Sequence, residues 1–311
     1  MSNVLVAGGA GFIGSHLSEQ LVKKGHKVVV IDDLSLGTLS NLEVINSEIS
    51  FYQNSYEDKD FFTDTVRKHQ IEYVFHFAGF SSAPMFDMKE SEGMAMNVLG
   101  FLKMLEVCRD EKVKRVMYAS SSSIYGNAPV QVEDVKVSPP NFYALTKYAM
   151  EHTSRLFYDL YGVESVGFRF FSVYGRNERH KLRFANLISQ FLWAMQEGKE
   201  VVIYGEGDQT RDFIYVLDLC DALIAGMEAD GTYAKAAVYN VGTSEAYTLN
   251  TMVKMLEDAT KTKAIRKYIP NPVKNYVAHT KADIKKIWDD LGFKSSYDLQ
   301  EGIKDLISGE I

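Results

Sequence analysis

The sequence is poor in the residues that mark specialised architectures. Only two of 311 residues are cysteine, Cys108 and Cys220. Both lie in apolar periodic stretches with no metal-like spacing, which argues against a disulfide scaffold or a thiolate metal site and for buried free thiols. Six prolines, no repeats and no low-complexity tract leave no flexible linker between separate domains. Cations do not exceed anions: 34 Lys and Arg stand against 41 Asp and Glu, for a net charge of -7. That balance argues against a nucleic-acid footprint. No apolar run reaches membrane-spanning length and no signal peptide precedes the first strand, so a cytoplasmic location is expected.

What the chain does have is regular alternation. Apolar runs at Val4–Ala7, Lys27–Ile31, Tyr73–Phe77, Arg115–Ala119 and Ser165–Phe170 predict strands. Helical periodicity between them covers Gly14–Lys24, Asp60–Lys68, Asn97–Asp110 and Tyr143–Tyr161. Strand alternating with helix implies an α/β fold whose parallel sheet is covered on both faces. Beyond Tyr174 the pattern loosens. NERHKLRF reads as a polar loop, Ala185–Glu197 as a helix, and VVIYGEGDQTRDFIYV as two strands around a turn. Leu249–Thr260 and Lys281–Leu291 read as two further helices.

The opening VLVAGGAGFIGSHL places Gly8, Gly11 and Gly14 between a strand and a helix. Such a turn lets the backbone approach a pyrophosphate, with the free N–H groups of the helix start directed at it. Asp32 ends the second strand 18 residues after Gly14. A carboxylate there accepts hydrogen bonds from the adenosine ribose and repels a 2′-phosphate, which predicts NAD rather than NADP. One of Asp32 and Asp33 is expected only to cap the loop.

FYALTKYAMEH puts Tyr143 and Lys147 four residues apart on one helical face. A phenol titrates near 10, and bringing it to neutrality takes about 4 kcal/mol of interaction with nearby positive charge. A lysine and an oxidised nicotinamide could supply it. YASSSSIYG follows a predicted strand and brings four hydroxyls to the sheet edge where such folds bind ligands. One serine could share a substrate proton with the tyrosine, while two of the four cap the strand end.

VAGGAGFIGSHL, VVVIDDLS, HFAG, NVLG, YASSSSIYG, YALTK, RFFSVYG, TRDFIYVLDL and YNVGTSEAYTL together resemble the extended short-chain dehydrogenase/reductase family. Within it the chain is most similar to nucleotide-sugar epimerases of the UDP-glucose 4-epimerase type. The resemblance implies a Rossmann-type, doubly wound domain over 1–171 plus about 213–242, and a smaller substrate domain over 172–212 and 243–311. It implies Ser121, Tyr143 and Lys147 as the catalytic set. A cofactor cleft of Gly8, Gly11, Phe12, Ile13, Gly14, Asp32, Asp33, Ser35 and Gly37 is implied, continued by Ser55, Tyr56, Phe77, Ala78, Gly79, Asn97 and Phe170. Implied substrate contacts are Ser81, Ser121, Ser122, Ser123, Tyr143, Ser172, Asn186, Leu187, Tyr204, Arg211 and Thr280. No metal is implied.

Related dehydratases carry an acidic pair where this chain has Ser122 and Ser123, and serines cannot serve as that acid and base. The expected reaction is therefore epimerisation: UDP-glucose and UDP-galactose interconvert through a 4-keto sugar, with NAD regenerated. Another nucleotide sugar (UDP-N-acetylhexosamine, UDP-uronate or ADP-heptose) and a non-catalytic NAD-binding regulator are the alternatives.

Several positions depart from the family pattern. Ser55 stands for an aspartate, Ser172 for an asparagine and Arg176 for a proline. GRNERHKLRFAN is closer to ADP-heptose 6-epimerases, and PNPVKNYVAHT lacks the common arginine-x-Gly-Asp/Glu element. His180 and Lys181 could form another diphosphate clamp or a solvated loop. Arg211–Asp212 could instead be a turn salt bridge, and Tyr204 a half-buried strand aromatic. Asn97–Asp110 and Tyr143–Tyr161 carry Val98, Phe101, Leu102, Leu105, Met150, Leu156, Phe157 and Leu160, more apolar positions than one core stripe needs. With the resemblance, this predicts a homodimer through a four-helix contact. Thr280 replaces a bulky tyrosine of some relatives, which predicts room for an N-acetyl group.

Overall fold

The computed structural model describes residues 1–128, 130–272 and 276–309. The first six strands are β1 (Asn3–Ala7), β2 (Lys27–Ile31), β3 (Ile49–Tyr52), β4 (Tyr73–His76), β5 (Arg115–Ser121) and β6 (Ser165–Phe170). Four short ones follow: β7 (Ser172–Tyr174), β8 (Glu200–Tyr204), β9 (Thr210–Arg211) and β10 (Phe213–Tyr215). The last three are β11 (Lys235–Val241), β12 (Tyr247–Thr248) and β13 (Ile265–Ile269). Seven of them form one parallel sheet in the order β11-β6-β5-β4-β1-β2-β3. Chain direction across the sheet reverses between β1 and β4, and ligands of such sheets bind outside the strand ends at that crevice.

Helices α1 (Phe12–Lys23), α2 (Lys59–His69), α3 (Glu90–Met94), α4 (Phe101–Asp110) and α5 (Phe142–Tyr161) belong to the first half. The second half holds α6 (Leu187–Gln196), α7 (Val216–Glu228), α8 (Leu249–Thr260), α9 (Lys285–Leu291) and α10 (Leu299–Gly309). Side chains alternate along each strand, so neighbours enter opposite layers. Val4, Val6, Val28 and Val30 pack with Leu17 and Leu21 of α1 and Leu219 and Leu223 of α7. Leu5, Ala7, Val29 and Ile31 pack with Phe62 of α2, Leu105 of α4 and Phe157 of α5. This is the doubly wound Rossmann arrangement. The first apolar layer continues without a break into Ile188, Met252 and Ile303 of the second half.

Three expectations need correction. VVIYGEGDQTRDFIYV holds three short strands rather than two, and none pairs with another of the three: β8 pairs in parallel with the distant β13, β9 with β12 and β10 with β7. Gly205 and Gly207, both at positive φ, end β8, and Val201 and Ile203 turn inward to a core that needs a third element beside them. NERHKLRF is largely a 3-10 turn over Arg179–Phe184. The stretch starting at Asn97 opens in a π turn, Ala95–Gly100, before α4 begins. Of the eight apolar residues singled out on the two surface helices, Phe101, Leu105, Met150 and Phe157 are core. Leu156 and Leu160 are 58% and 67% exposed, with Leu145 and Tyr161 also uncovered on α5.

Candidate functional site

The turn between β1 and α1 is built from glycine for two separate reasons. Gly8 has φ +82, and a Cβ there would stand 2.7 Å from the Ala78 nitrogen at the end of β4. A Cβ on Gly14 would lie 2.2 Å from the Gly8 carbonyl oxygen. Gly11 differs: its Cβ would meet only the Gly8 oxygen, at 3.3 Å. Open space therefore lies in front of the helix start. Gly11 is also the N-cap and offers no side chain to the first-turn N–H groups at Phe12 and Ile13. This open cradle with free donors fits a dinucleotide pyrophosphate.

Asp32 is 7% exposed and already does structural work. Its Oδ2 accepts from Ala10 N at 2.9 Å and its Oδ1 from Leu34 N at 2.8 Å. Burial raises its pKa and these N–H donors oppose the rise. Gly37 sits against the same carboxylate. Asp33 instead caps the exposed loop, accepting from Ser35 N at 2.9 Å and Ser35 Oγ at 2.6 Å.

Farther along the sheet edge, Gly79 holds φ +114 beside Asn97. The Asn97 amide is committed to the protein: Oδ1 accepts from Phe80 N at 2.8 Å, and Nδ2 donates to Phe80 O and Thr146 Oγ1, each at 3.0 Å. It ties the end of β4 to α5. Tyr56 is buried, its phenol donating to Met96 O at 2.5 Å. Ser55 Oγ accepts from Glu57 N at 3.2 Å. Phe77 and Ala78 are half-buried, and Phe77 lies 6.2 Å from the ring of Phe170.

The second cluster stands on α5, whose start is capped by Asn141 Oδ1 accepting from Ala144 N at 2.9 Å. Lys147 is 5% exposed, donates from Nζ to Ala119 O at 3.0 Å, and lies 5.9 Å from the Tyr143 ring centre. Burial pulls the lysine down to about 8. Burial also raises the Tyr143 phenol, and the Ser121 hydroxyl opposes that rise as its hydrogen-bond partner. Ser121 and Ser123 share a 2.7 Å hydroxyl bond, and Ser122 is half-buried beside them. Ser120 donates at 2.5 Å to Glu151. One turn beyond Lys147, Glu151 is buried in an ion pair with Arg169 at 2.8 Å, and Arg169 also donates to Tyr125 OH. Periodicity of four from Tyr143 through Lys147 to Glu151 was the available signal for this anchor.

His76, at the end of β4, was not anticipated. It is 1% exposed, and neither ring nitrogen has a hydrogen-bond partner among the described residues. Burial, with the Lys147 charge adding to it, lowers it to about 3.

The remaining residues lie in the second half and the loop after β4. Ser81 donates to Met85 Sδ from N and Oγ. Ser172 N donates to Asp212 O at 2.9 Å. Asn186 caps α6, its Oδ1 accepting from Ile188 N and its Nδ2 donating to Val173 O, so its amide is spent on the fold. Leu187 and Tyr204 are half-buried. His180 Nδ1 approaches Asn41 at 3.4 Å, and Lys181 lies 5.0 Å over the Phe12 ring while pairing with Glu178 at 2.9 Å. That segment therefore packs on the glycine turn rather than standing in solvent. Arg211 and Asp212 point apart: Arg211 Nη1 donates to Thr210 O and Ala278 O, while Asp212 accepts from Thr243 N, Ser244 N and Ala282 N. The turn salt bridge does not form. Thr280 is 8% exposed, with Oγ1 accepting from Asp212 N at 3.3 Å. Among the described residues no group of His, Cys, Asp and Glu could hold a metal ion, and no helix is long and apolar enough to cross a membrane.

Comparison with known proteins agrees with this fold. The chain is 32% identical to UDP-glucose 4-epimerase of Thermotoga maritima, solved with UDP-glucose, with TM-score 0.91 over 98% of this chain and 97% of that one. It is 32% identical to UDP-N-acetylglucosamine 4-epimerase of Methanobrevibacter ruminantium, with TM-score 0.90 over 99% of both chains. ADP-L-glycero-D-manno-heptose-6-epimerase of Helicobacter pylori is 31% identical, with TM-score 0.87 over 99% of this chain and 96% of that one. Residues 4–242 match the family model "NAD dependent epimerase/dehydratase family". With the family model matched over most of the chain and solved relatives above 30% identity along nearly its full length, the chain belongs to the NAD-dependent epimerase/dehydratase family.

Proposed function

We propose that this NAD-dependent nucleotide-sugar epimerase, an isomerase, inverts C4 of a UDP-hexose, interconverting UDP-glucose and UDP-galactose. The observation that carries the reading is the convergence of Ser121, Tyr143 and Lys147 at the sheet edge that also bears the glycine cradle. In this reading NAD rests on the N–H groups of Phe12 and Ile13, with its ribose at Asp32. The chemistry that NAD would supply there is reversible hydride acceptance at the sugar carbon, which permits return to the opposite face.

The protein's own groups handle the proton and the orientation. Tyr143, as phenolate, accepts the proton of the C4 hydroxyl and later returns it to the oxygen of the 4-keto sugar. Ser121 steadies the same oxygen by hydrogen bonding. Lys147 favours the phenolate through its charge. Arg211 is the cation that meets the diphosphate, a task suited to its planar fork. Residues 172–212 and 243–311 form the substrate-binding part, and 1–171 with about 213–242 the cofactor part. The uncovered Leu156, Leu160 and Tyr161 on α5 support a homodimer through α4 and α5.

A second reading, epimerisation of an ADP-heptose, is favoured by the likeness of the chain to ADP-L-glycero-D-manno-heptose-6-epimerase and of its segment GRNERHKLRFAN to such enzymes. One experiment separates the two. Purified enzyme is incubated with UDP-glucose, UDP-galactose, their N-acetyl forms, UDP-glucuronate and ADP-heptose, and products are read by NMR. Conversion of UDP-glucose to UDP-galactose supports the first reading. Conversion of ADP-heptose alone replaces it.

A further inference from the structure

Arg211 is a half-buried guanidinium without an anion. Burial lowers its pKa, opposed by the Tyr276 phenol beside it, and no carboxylate among the described residues acts on it. Its neighbour Asp212 is taken by three backbone N–H groups elsewhere. A cation kept from water without a counter-charge costs several kcal/mol unless a ligand supplies one. What holds the fork in place is therefore informative.

The holding elements come from the segment 276–280. The Tyr276 ring lies 5.1 Å beneath the guanidinium carbon. Arg211 Nη1 donates to Thr210 O at 2.8 Å and Ala278 O at 3.0 Å. The segment is itself clamped. Ala278 N donates to Asn127 Oδ1 at 3.2 Å, and Asn127 Nδ2 donates to Tyr276 O at 3.4 Å. Thr210 N donates to Ala278 O at 3.0 Å, and Thr280 N to Thr210 O at 3.1 Å. Face and one corner of the fork are thus fixed by the protein, and among the described residues no carboxylate meets the opposite edge, Nε and Nη2, which is the part left for an anion.

We propose that Tyr276 is a positioning residue that presents the free edge of Arg211 to the diphosphate of the nucleotide sugar, with Asn127 holding the segment that carries it. The inference rests on the reading of Arg211 as the diphosphate residue. It assigns no chemistry to Tyr276. A ring under a guanidinium restrains its plane, and a planar fork loses affinity for a bidentate anion when it can tilt.

The test compares binding of UDP and UMP to the NAD-loaded enzyme by calorimetry, because the second phosphate separates a diphosphate contact from base and ribose contacts. Tyr276→Ala is expected to weaken UDP about tenfold and UMP at most about twofold, with kcat at saturating substrate within about twofold of the parent. Tyr276→Phe keeps the ring and is expected to restore the UDP-to-UMP ratio. An unchanged ratio in Tyr276→Ala, or equal loss for both nucleotides, overturns the positioning role, as does failure of Tyr276→Phe to restore it. Arg211→Lys is the reference. If it collapses the ratio while Tyr276→Ala does not, only the Tyr276 inference falls. If it too leaves the ratio unchanged, the reading of Arg211 itself is wrong. NAD content and melting temperature of each variant confirm that the fold is intact.

Discussion

Replacing Lys147 with methionine isolates the electrostatic part of the proposed proton transfer. Tyr143 is half-buried, and desolvation raises its pKa above that of a free phenol, so it needs positive charge nearby to act as a base. Lys147 lies 5.9 Å from the ring. A unit charge at about 6 Å with an effective dielectric constant of about 20 contributes about 3 kcal/mol to the phenolate, or about two pH units. The sign follows directly: the cation favours the anion, so removing it raises the Tyr143 pKa. The rising limb of the kcat/KM–pH profile should move up by about two units in Lys147→Met, and turnover near neutrality should fall about a hundredfold. Methionine fills much of the same buried volume, so the fold should survive. The assay is the coupled formation of UDP-glucose from UDP-galactose across the pH range, with NAD occupancy checked by absorbance. A limb displaced by less than about half a unit would refute the electrostatic role and leave Lys147 with its bond to Ala119 as its whole purpose.

Tyr143→Phe should lose several orders of magnitude in turnover with little change in melting temperature; near-normal turnover contradicts the proton route. Asp32→Asn should narrow the NAD-over-NADP preference about tenfold, read by binding of each cofactor to stripped protein, since the repelling charge is gone while an oxygen still serves Ala10 or Leu34. His76 is held near 3 in the fold against 6.5 when free, so the unfolded chain binds the proton first and stability falls as pH drops below about 6.5. By about pH 4.5 this residue alone should cost about 3 kcal/mol, and His76→Phe should show a correspondingly smaller loss between neutral and acidic urea titrations. Leu160→Lys places charge on the uncovered face of α5 and should give a monomer by light scattering if that face is the dimer contact.

The cofactor half was legible because its signals are local. Val4–Ala7 and Val28–Ile31 are unbroken apolar runs buried on both faces, and the glycines between strand and helix need no partner to be read. β3 was missed because Ile49–Tyr52 is half-buried throughout and shows neither alternation nor a full apolar run. β8 was legible as a strand but its partner was not, since its parallel neighbour β13 lies far along the chain and nothing in either segment names the other. Site residues followed the same division. Tyr143 and Lys147 share one helix, and spacing alone puts them on one face. Tyr276 meets Arg211 from a segment far along the chain, with several strands and helices between them, and their meeting is a property of the folded chain. Asn186 shows the opposite error: a residue type suited to ligand contact whose amide the fold has already used.

The place of β11 in the sheet has a bearing on how the chain is made. β6 is complete at Phe170, but the strand that covers its outer edge does not begin until Lys235. Residues 171–234 must leave the ribosome first. Through that interval β6 offers an unpaired parallel edge with Val166 and Phe168, both fully buried in the finished protein, beside it. Such an edge is a template for another nascent chain, and late non-local pairing prolongs its exposure. Synthesis at high levels should therefore favour aggregation of chains stalled or truncated between these points over truncation beyond Val241, and slower elongation or chaperone supply across that window should raise the soluble yield.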